Sequence, residues 1–141
     1  MTSRATLAQI RFGTGLRPGR PLPGLDTLME RLSGPDRMAQ IYPQEDFATR
    51  AGAAQNYLSE LRAARGAADG AERQAAARRV MRDAKSRQLA ISLARGVASG
   101  DGLRERLTWF WADHFTTAGQ RAVMQGSISA YVEEAIRPHV A

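Results

Sequence analysis

His114 and His139 are the two imidazoles of a 141-residue chain that has no cysteine. Without a thiol there is no cysteine nucleophile, no disulfide framework and no Cys-ligated zinc or iron–sulfur site. Metal or acid–base chemistry would therefore have to combine these histidines with carboxylates. Glu133 and Glu134, close before His139, are the obvious partners. The candidate metal ligands are His114, His139, Glu133 and Glu134. The candidate catalytic groups are His114, His139 and Glu134. Asp113 cannot join His114 on one ligand, because adjacent residues on a helix point ~100° apart. The same divergence separates Glu133 from Glu134 and favours solvated, paired carboxylates. There is no Gly-x-Ser-x-Gly elbow and no His-Glu-x-x-His, and no histidine is near Ser127 or Ser129 in sequence. No cofactor is indicated.

Each histidine also has a plain structural reading. His114 stands among aromatics, where an imidazole is usually packed and hydrogen-bonded. His139 follows Pro138 just past a helix end, where a cation complements the helix dipole.

The element that must position His114 is Leu103 to Thr117, which holds both tryptophans and two of the four phenylalanines. At the helical period Leu103, Leu107, Phe110 and Trp111 form one stripe, with Phe115 at its edge and His114 inside it. Trp109 falls on the far side beside Arg106 and Asp113. Rings on both faces predict a helix buried around most of its circumference, with the His114 ring inside.

The other elements also read as helices. Residues 4–12 predict a short one with Leu7, Ile10 and Phe12 inward. Residues 13–24 are dense in Gly and Pro and read as a surface loop. Gly13 and Gly15, followed by Arg17 and Arg20, lack the strand, third glycine and helix of a nucleotide fingerprint. Residues 24–32 predict a second helix, on Leu25, Leu28, Met29 and Leu32, and 36–42 one more turn. Pro43 is expected to open a third helix at its first position, closed by Gly66 or Gly70. Its apolar stripe is Phe47, Ala51, Ala54, Leu58 and Leu61.

Residues 71–99 form the longest helical run. Its first half is amphipathic and is expected to project; its Leu89–Ala98 half is apolar all round and is expected to be buried. Asp101 can cap the aromatic helix. Residues 118–126 read as a loop. A last helix over 127–137 carries Ile128, Tyr131, Val132 and Ala135 on one side, with Ile136 nearby. Glu133 and Arg137 make an i,i+4 surface pair worth only ~0.2–0.5 kcal/mol. No segment alternates as a strand should. The fold class is all-α, an irregular array of about five to six helices.

The formal charge is +6, and every basic residue but Lys85 is arginine. The surplus is concentrated between Arg62 and Arg95. That stretch has neither a nucleic-acid reading motif nor interleaved aromatics, so it reads as a solvated face rather than a phosphate or nucleic-acid surface. No run approaches the ~18 apolar residues of a membrane span. The N-terminus lacks the apolar core of a signal peptide, which makes the protein cytoplasmic by default.

Two segments, LRERLTWFWADHFTT and GSISAYVEEAIRPHV, resemble the bacterial domain-of-unknown-function family 1800. The matching residues are Glu105-Arg106-Leu107, Phe110-Trp111, His114-Phe115-Thr116 and Glu134-Ala135-Ile136-Arg137-Pro138-His139. Asp113 stands where members often have Asn. Arg11-Phe12-Gly13 and the loop after it fit the family's opening. The resemblance implies a mainly helical fold and carries no established activity. Many members are exported. Members also continue into further helices with Glu- and His-rich motifs, so residues 1–141 are expected to be the N-terminal portion of one larger helical domain.

Two functions follow as expectations, with phosphate or nucleic-acid binding through the Arg-rich helix over 62–95 as a weaker third. The first is a non-catalytic module that docks a partner protein or the C-terminal part of its own chain. The second is a metal-assisted, hydrolase-like enzyme in which later Glu and His residues complete a site around His114.

Overall fold

A computed structural model describes residues 2–16, 18–116, 124 and 126–141. The helices are α1 (Arg4–Phe12), α2 (Leu25–Ser33), α3 (Arg37–Ile41), α4 (Phe47–Ala63), α5 (Gly70–Ala98), α6 (Gly102–His114) and α7 (Ile128–Tyr131). α7 runs into a π-turn over Val132–Ile136 and a 3-10 turn over Arg137–His139. No strand occurs among the described residues. The protein is all-α, as its periodicity requires. Residues 118–123 and 125 of the expected loop lie outside the described residues.

Short polar side chains set the starts of α1, α3, α4 and α6. Ser3 accepts from the Thr6 amide, Asp36 from Ala39, Asp46 from Thr49 and Asp101 from Arg104. Each satisfies one of the amides a helix start leaves open. α4 therefore begins after Asp46 and not at Pro43, because a cap that accepts a hydrogen bond outweighs proline's preset φ. The turn after α4 needs a left-handed residue and has Gly66 there, at φ 77°.

α4 and α5 pair antiparallel. Glu60 meets Arg73 near the turn, while Gln44, just before α4, reaches Ser92 far along α5. α6 is the hub, touching α1, α2, α5 and the π-turn. Leu28, Ala8 and Leu103 form the apolar core, with Leu32 and Leu107 against it. The loop over residues 13–15 is more than surface. Gly13 is buried, and a Cβ on Gly102 would lie 2.9 Å from the Thr14 nitrogen.

The apolar faces depart from expectation. Leu7, Ile10 and Phe12 are exposed on α1 while Gln9 is buried; Leu25 and Met29 are exposed on α2 and Phe47 and Leu58 on α4. In the tail Ala130 and Ile136 are buried, whereas Ile128 and Ala135 are exposed. The largest reversal is on α5. Leu89, Leu93 and Val97 face solvent at 59, 57 and 75%, and Gln88, Arg95 and Gly96 turn inward. Arg95 reaches the Tyr42 carbonyl and Glu133, partners found on one side of the helix alone. Gly96 lets the Trp109 ring approach so closely that a Cβ there would lie 2.5 Å from it. The first half of α5 does not project free: Ala77, Met81 and Ala84 are half-buried toward α4.

Candidate functional site

Around the first turns of α6 the interior is ionic. Glu105, 1% exposed, receives both terminal nitrogens of Arg137, at 2.5 and 3.1 Å. Arg137 also donates through Nε and Nη2 to the two oxygens of Asp36. One guanidinium thereby ties α6, the tail and the start of α3 together. The two sequence signatures around Glu105 and Arg137 meet at this contact. The expected Glu133–Arg137 surface pair does not form, because the π-turn sends Glu133 to Arg95. Glu134 instead accepts from the Phe47 amide at 2.6 Å, at the positive end of α4.

Three more buried arginines repeat the pattern. Arg104 holds Asp101 at 2.8 Å and the carbonyls of Leu32 and Gly34. Arg50 holds the Gly126 carbonyl through two nitrogens and Glu45 at 2.9 Å. Arg95 holds the Tyr42 carbonyl through two nitrogens and Glu133 through a third. Arg106, though exposed, reaches the Ile10 and Gly13 carbonyls and fixes the end of α1 to α6. Guanidinium is a fixed cation with five donors and no acceptor. Such groups hold loops in place and shuttle no proton.

Burial pushes the Asp36 carboxyl up. Its bonds to Arg137 and the Ala39 amide, with the charges of Arg137 and Arg104, outweigh that and hold it below the ordinary aspartate value. Burial likewise disfavours the Arg137 cation, but Glu105 and Asp36 prevail and raise its pKa. Both partners are thus locked in their charged forms.

The second half of α6 is the opposite. Phe110, Trp111, His114 and Phe115 form a cluster of rings on one another. His114 lies 4.9 Å from Phe115 and 5.6 Å from Trp111 between ring centroids, edge to face. Trp111 and Phe115 stack at 5.5 Å. The expected burial of His114 is wrong: His114 is exposed, and so are Phe110, Trp111 and Phe115 at 58, 37 and 52%. The helix has turned its ionic start inward and left its rings outside. His139 and Pro138 are exposed in the closing turn. Among the described residues no three His, Asp or Glu side chains converge as a metal ion would require.

Sequence reasoning missed Asp36, Arg50, Arg95 and Arg104: it put Arg95 at the end of a solvated arginine face and Asp36 in a turn, and it gave Arg50 and Arg104 no role. The available signal was position: Arg104 stands three residues after a capping aspartate, and Arg95 stands amid apolar neighbours. The expected arginine face on 62–95 is itself divided. Arg95 is buried and Arg73 binds Glu60 at 2.7 Å, while Arg78, Arg79 and Arg82 face solvent.

The described residues also enclose depressions, two of which stand out. A cleft of about 950 Å³ lies between the 20–23 loop, α2, α3 and the α5–α6 junction. A smaller apolar slot of about 300 Å³ lies between α4 and α5, bordered by Arg50, Tyr57, Val80 and Met81. No helix among the described residues is long and apolar enough to cross a membrane.

No curated protein and no solved structure matches the chain. The family model described as "Protein of unknown function (DUF1800)" matches residues 10–141, from the end of α1 to the closing turn. That span includes both signatures whose Glu105 and Arg137 meet in the interior, and by it the chain belongs to the DUF1800 family.

Proposed function

We propose that the chain is a helical docking module whose contact surface is the ring face of α6. Its occupant is an apolar helical protein surface, supplied by the same polypeptide or by a second protein. The observation that carries this reading is the exposed cluster Phe110, Trp111, His114 and Phe115. Aromatic side chains bury 150–250 Å² each and dominate interface energetics. Contiguous exposed apolar patches mark interaction sites, whereas isolated exposed leucines do not. The exposed Leu89, Leu93 and Val97 row on α5 gives a second apolar surface of the same character. The interior supports the same reading, since its carboxylates are engaged by arginines in holding the fold.

The test is Phe110→Ser with Phe115→Ser. The unaltered chain is expected to bind a hydrophobic dye and to self-associate by light scattering. The double variant should lose both while its circular dichroism is unchanged. A dye-silent, monomeric unaltered chain would overturn the proposal. A photo-crosslinking residue at position 110, with mapping of the adduct, separates the two sources of the occupant.

A further inference from the structure

We propose that the cleft between the 20–23 loop, α2, α3 and the α5–α6 junction binds a small organic anion, a phosphate or carboxylate group on an apolar body. At about 950 Å³ it is of a size that holds a small molecule. Its chemistry is lopsided. Two of the three carboxylates in its wall are already taken, Asp36 by Arg137 and Asp101 by Arg104. Two of its carbonyls are taken as well, Gly34 by Arg104 and Gly100 by Arg31. Glu30 is the acid left over.

Three guanidiniums line the same cleft: Arg20, Arg31 and Arg37. Arg20 and Arg37 make no hydrogen bond or ion pair among the described residues, and Arg31 uses one nitrogen. The unspent capacity of the wall is therefore weighted to donors and positive charge, three guanidiniums against Glu30 and the unpartnered Gln9 Oε1, and an oxyanion complements that surplus better than a neutral or cationic ligand does. Beside them Pro21, Leu22, Pro23, Met38 and Ile41 present apolar surface for the rest of the ligand. The rigid Pro-Leu-Pro edge and the ties of Arg31 and Arg104 hold the cleft in shape before any ligand arrives, which lowers the cost of binding.

The experiment titrates the chain with phenyl phosphate and with benzoate at low ionic strength, followed by amide NMR shifts and calorimetry. Phenol and inorganic phosphate serve as controls. Saturable binding of both aromatic anions is expected, with shifts at Gly34, Met38 and Gly100 and none with phenol. The Arg20→Ala/Arg37→Ala variant removes two solvent-facing side chains that hold nothing else. It should melt as the unaltered chain does and bind at least about tenfold more weakly. Arg79→Ala/Arg82→Ala, on the solvent face of α5, should bind normally. Loss of binding in that second variant, or equal binding in the first, would show surface adsorption and overturn the proposal. So would an absence of saturation, or inorganic phosphate binding as tightly as phenyl phosphate.

Discussion

The two halves of α6 invert the usual rule of burial within one short helix. Residues 102–105 are all buried, among them Arg104 and Glu105, while Trp109, Phe110, Trp111 and Phe115 are exposed. Hydropathy alone would turn this helix the other way. Partners decide the outcome: every buried charge in the first half meets an opposite charge or several carbonyls, whereas the rings of the second half meet chiefly one another. An arginine that finds two acceptors can be buried at tolerable cost, and an aromatic without a facing helix cannot. The first half builds the fold, and the second presents its rings to solvent.

The strongest way to break this comparison is to unpair its ionic half. Glu105→Ala leaves Arg137 buried with Asp36 as its sole remaining carboxylate. Removing one member of a buried pair costs about 3–5 kcal/mol. Against a usual total of ~5–15 kcal/mol, that should leave the chain marginal. Urea unfolding followed by circular dichroism measures it. A loss below ~1 kcal/mol would mean that the pair contributes nothing beyond what water supplies.

Asp36 sharpens the same point through pH. Asp36→Asn keeps the shape and removes the charge, and hydrogen bonds to charged groups contribute about 1.5–3 kcal/mol. The folded-state pKa of Asp36 is depressed, so its contribution is fully present above the ordinary value of 3.8 and is lost as pH falls through the lower folded value. The stability gap between the unaltered chain and Asp36→Asn should therefore narrow below about that pH. A gap that stays constant down to strongly acid conditions would show that the carboxylate charge is not what Arg137 holds.

The sequence made much of the fold legible and little of its polarity. Helix spans and the Asp101 cap follow from periodicity and capping chemistry, which are local. The direction each helix faces is not local. Arg95 turns inward because Tyr42 and Glu133 lie there, partners 53 and 38 residues away. The π-turn over Val132–Ile136 has no clear pattern of its own, yet it moves Glu133 and Arg137 off a shared face. For the same reason the histidines could be named as candidates but not placed. His114 lies on the predicted stripe, whose Leu103 and Leu107 end packs on the core while its Phe110, Trp111 and Phe115 end faces outward.

A smaller effect tests the seam between the halves. Gly96→Ala gains about 1 kcal/mol of helix propensity, but its Cβ would lie 2.5 Å from the end of the Trp109 ring. Overpacking costs about 1–3 kcal/mol, so the net should be a loss of ~1 kcal/mol. Trp109 emission should shift to the red as the ring swings into water. In a Trp109→Ala background the same substitution should stabilise, since the propensity gain then stands alone. A double-mutant cycle with no coupling would mean that the indole does not rest on Gly96 at all.

The smallest expected effect belongs to His114, and its size carries the most about the exposed half. With its ring in solvent, His114→Gln should change the stability of the dilute, monomeric chain by no more than ~0.5 kcal/mol. At concentrations where the ring face is occupied, the same substitution should matter, because whatever covers the face stabilises the folded state by mass action. The difference between the variant and the unaltered chain should then grow with protein concentration. Thermal melts across a hundredfold dilution measure it. A large loss already in the dilute monomer would put the imidazole in the interior and refute the division of α6 into an ionic half and a contact half. A difference that stays small at every concentration would mean that His114 is not part of the contact, and would confine the proposed docking surface to Phe110, Trp111 and Phe115.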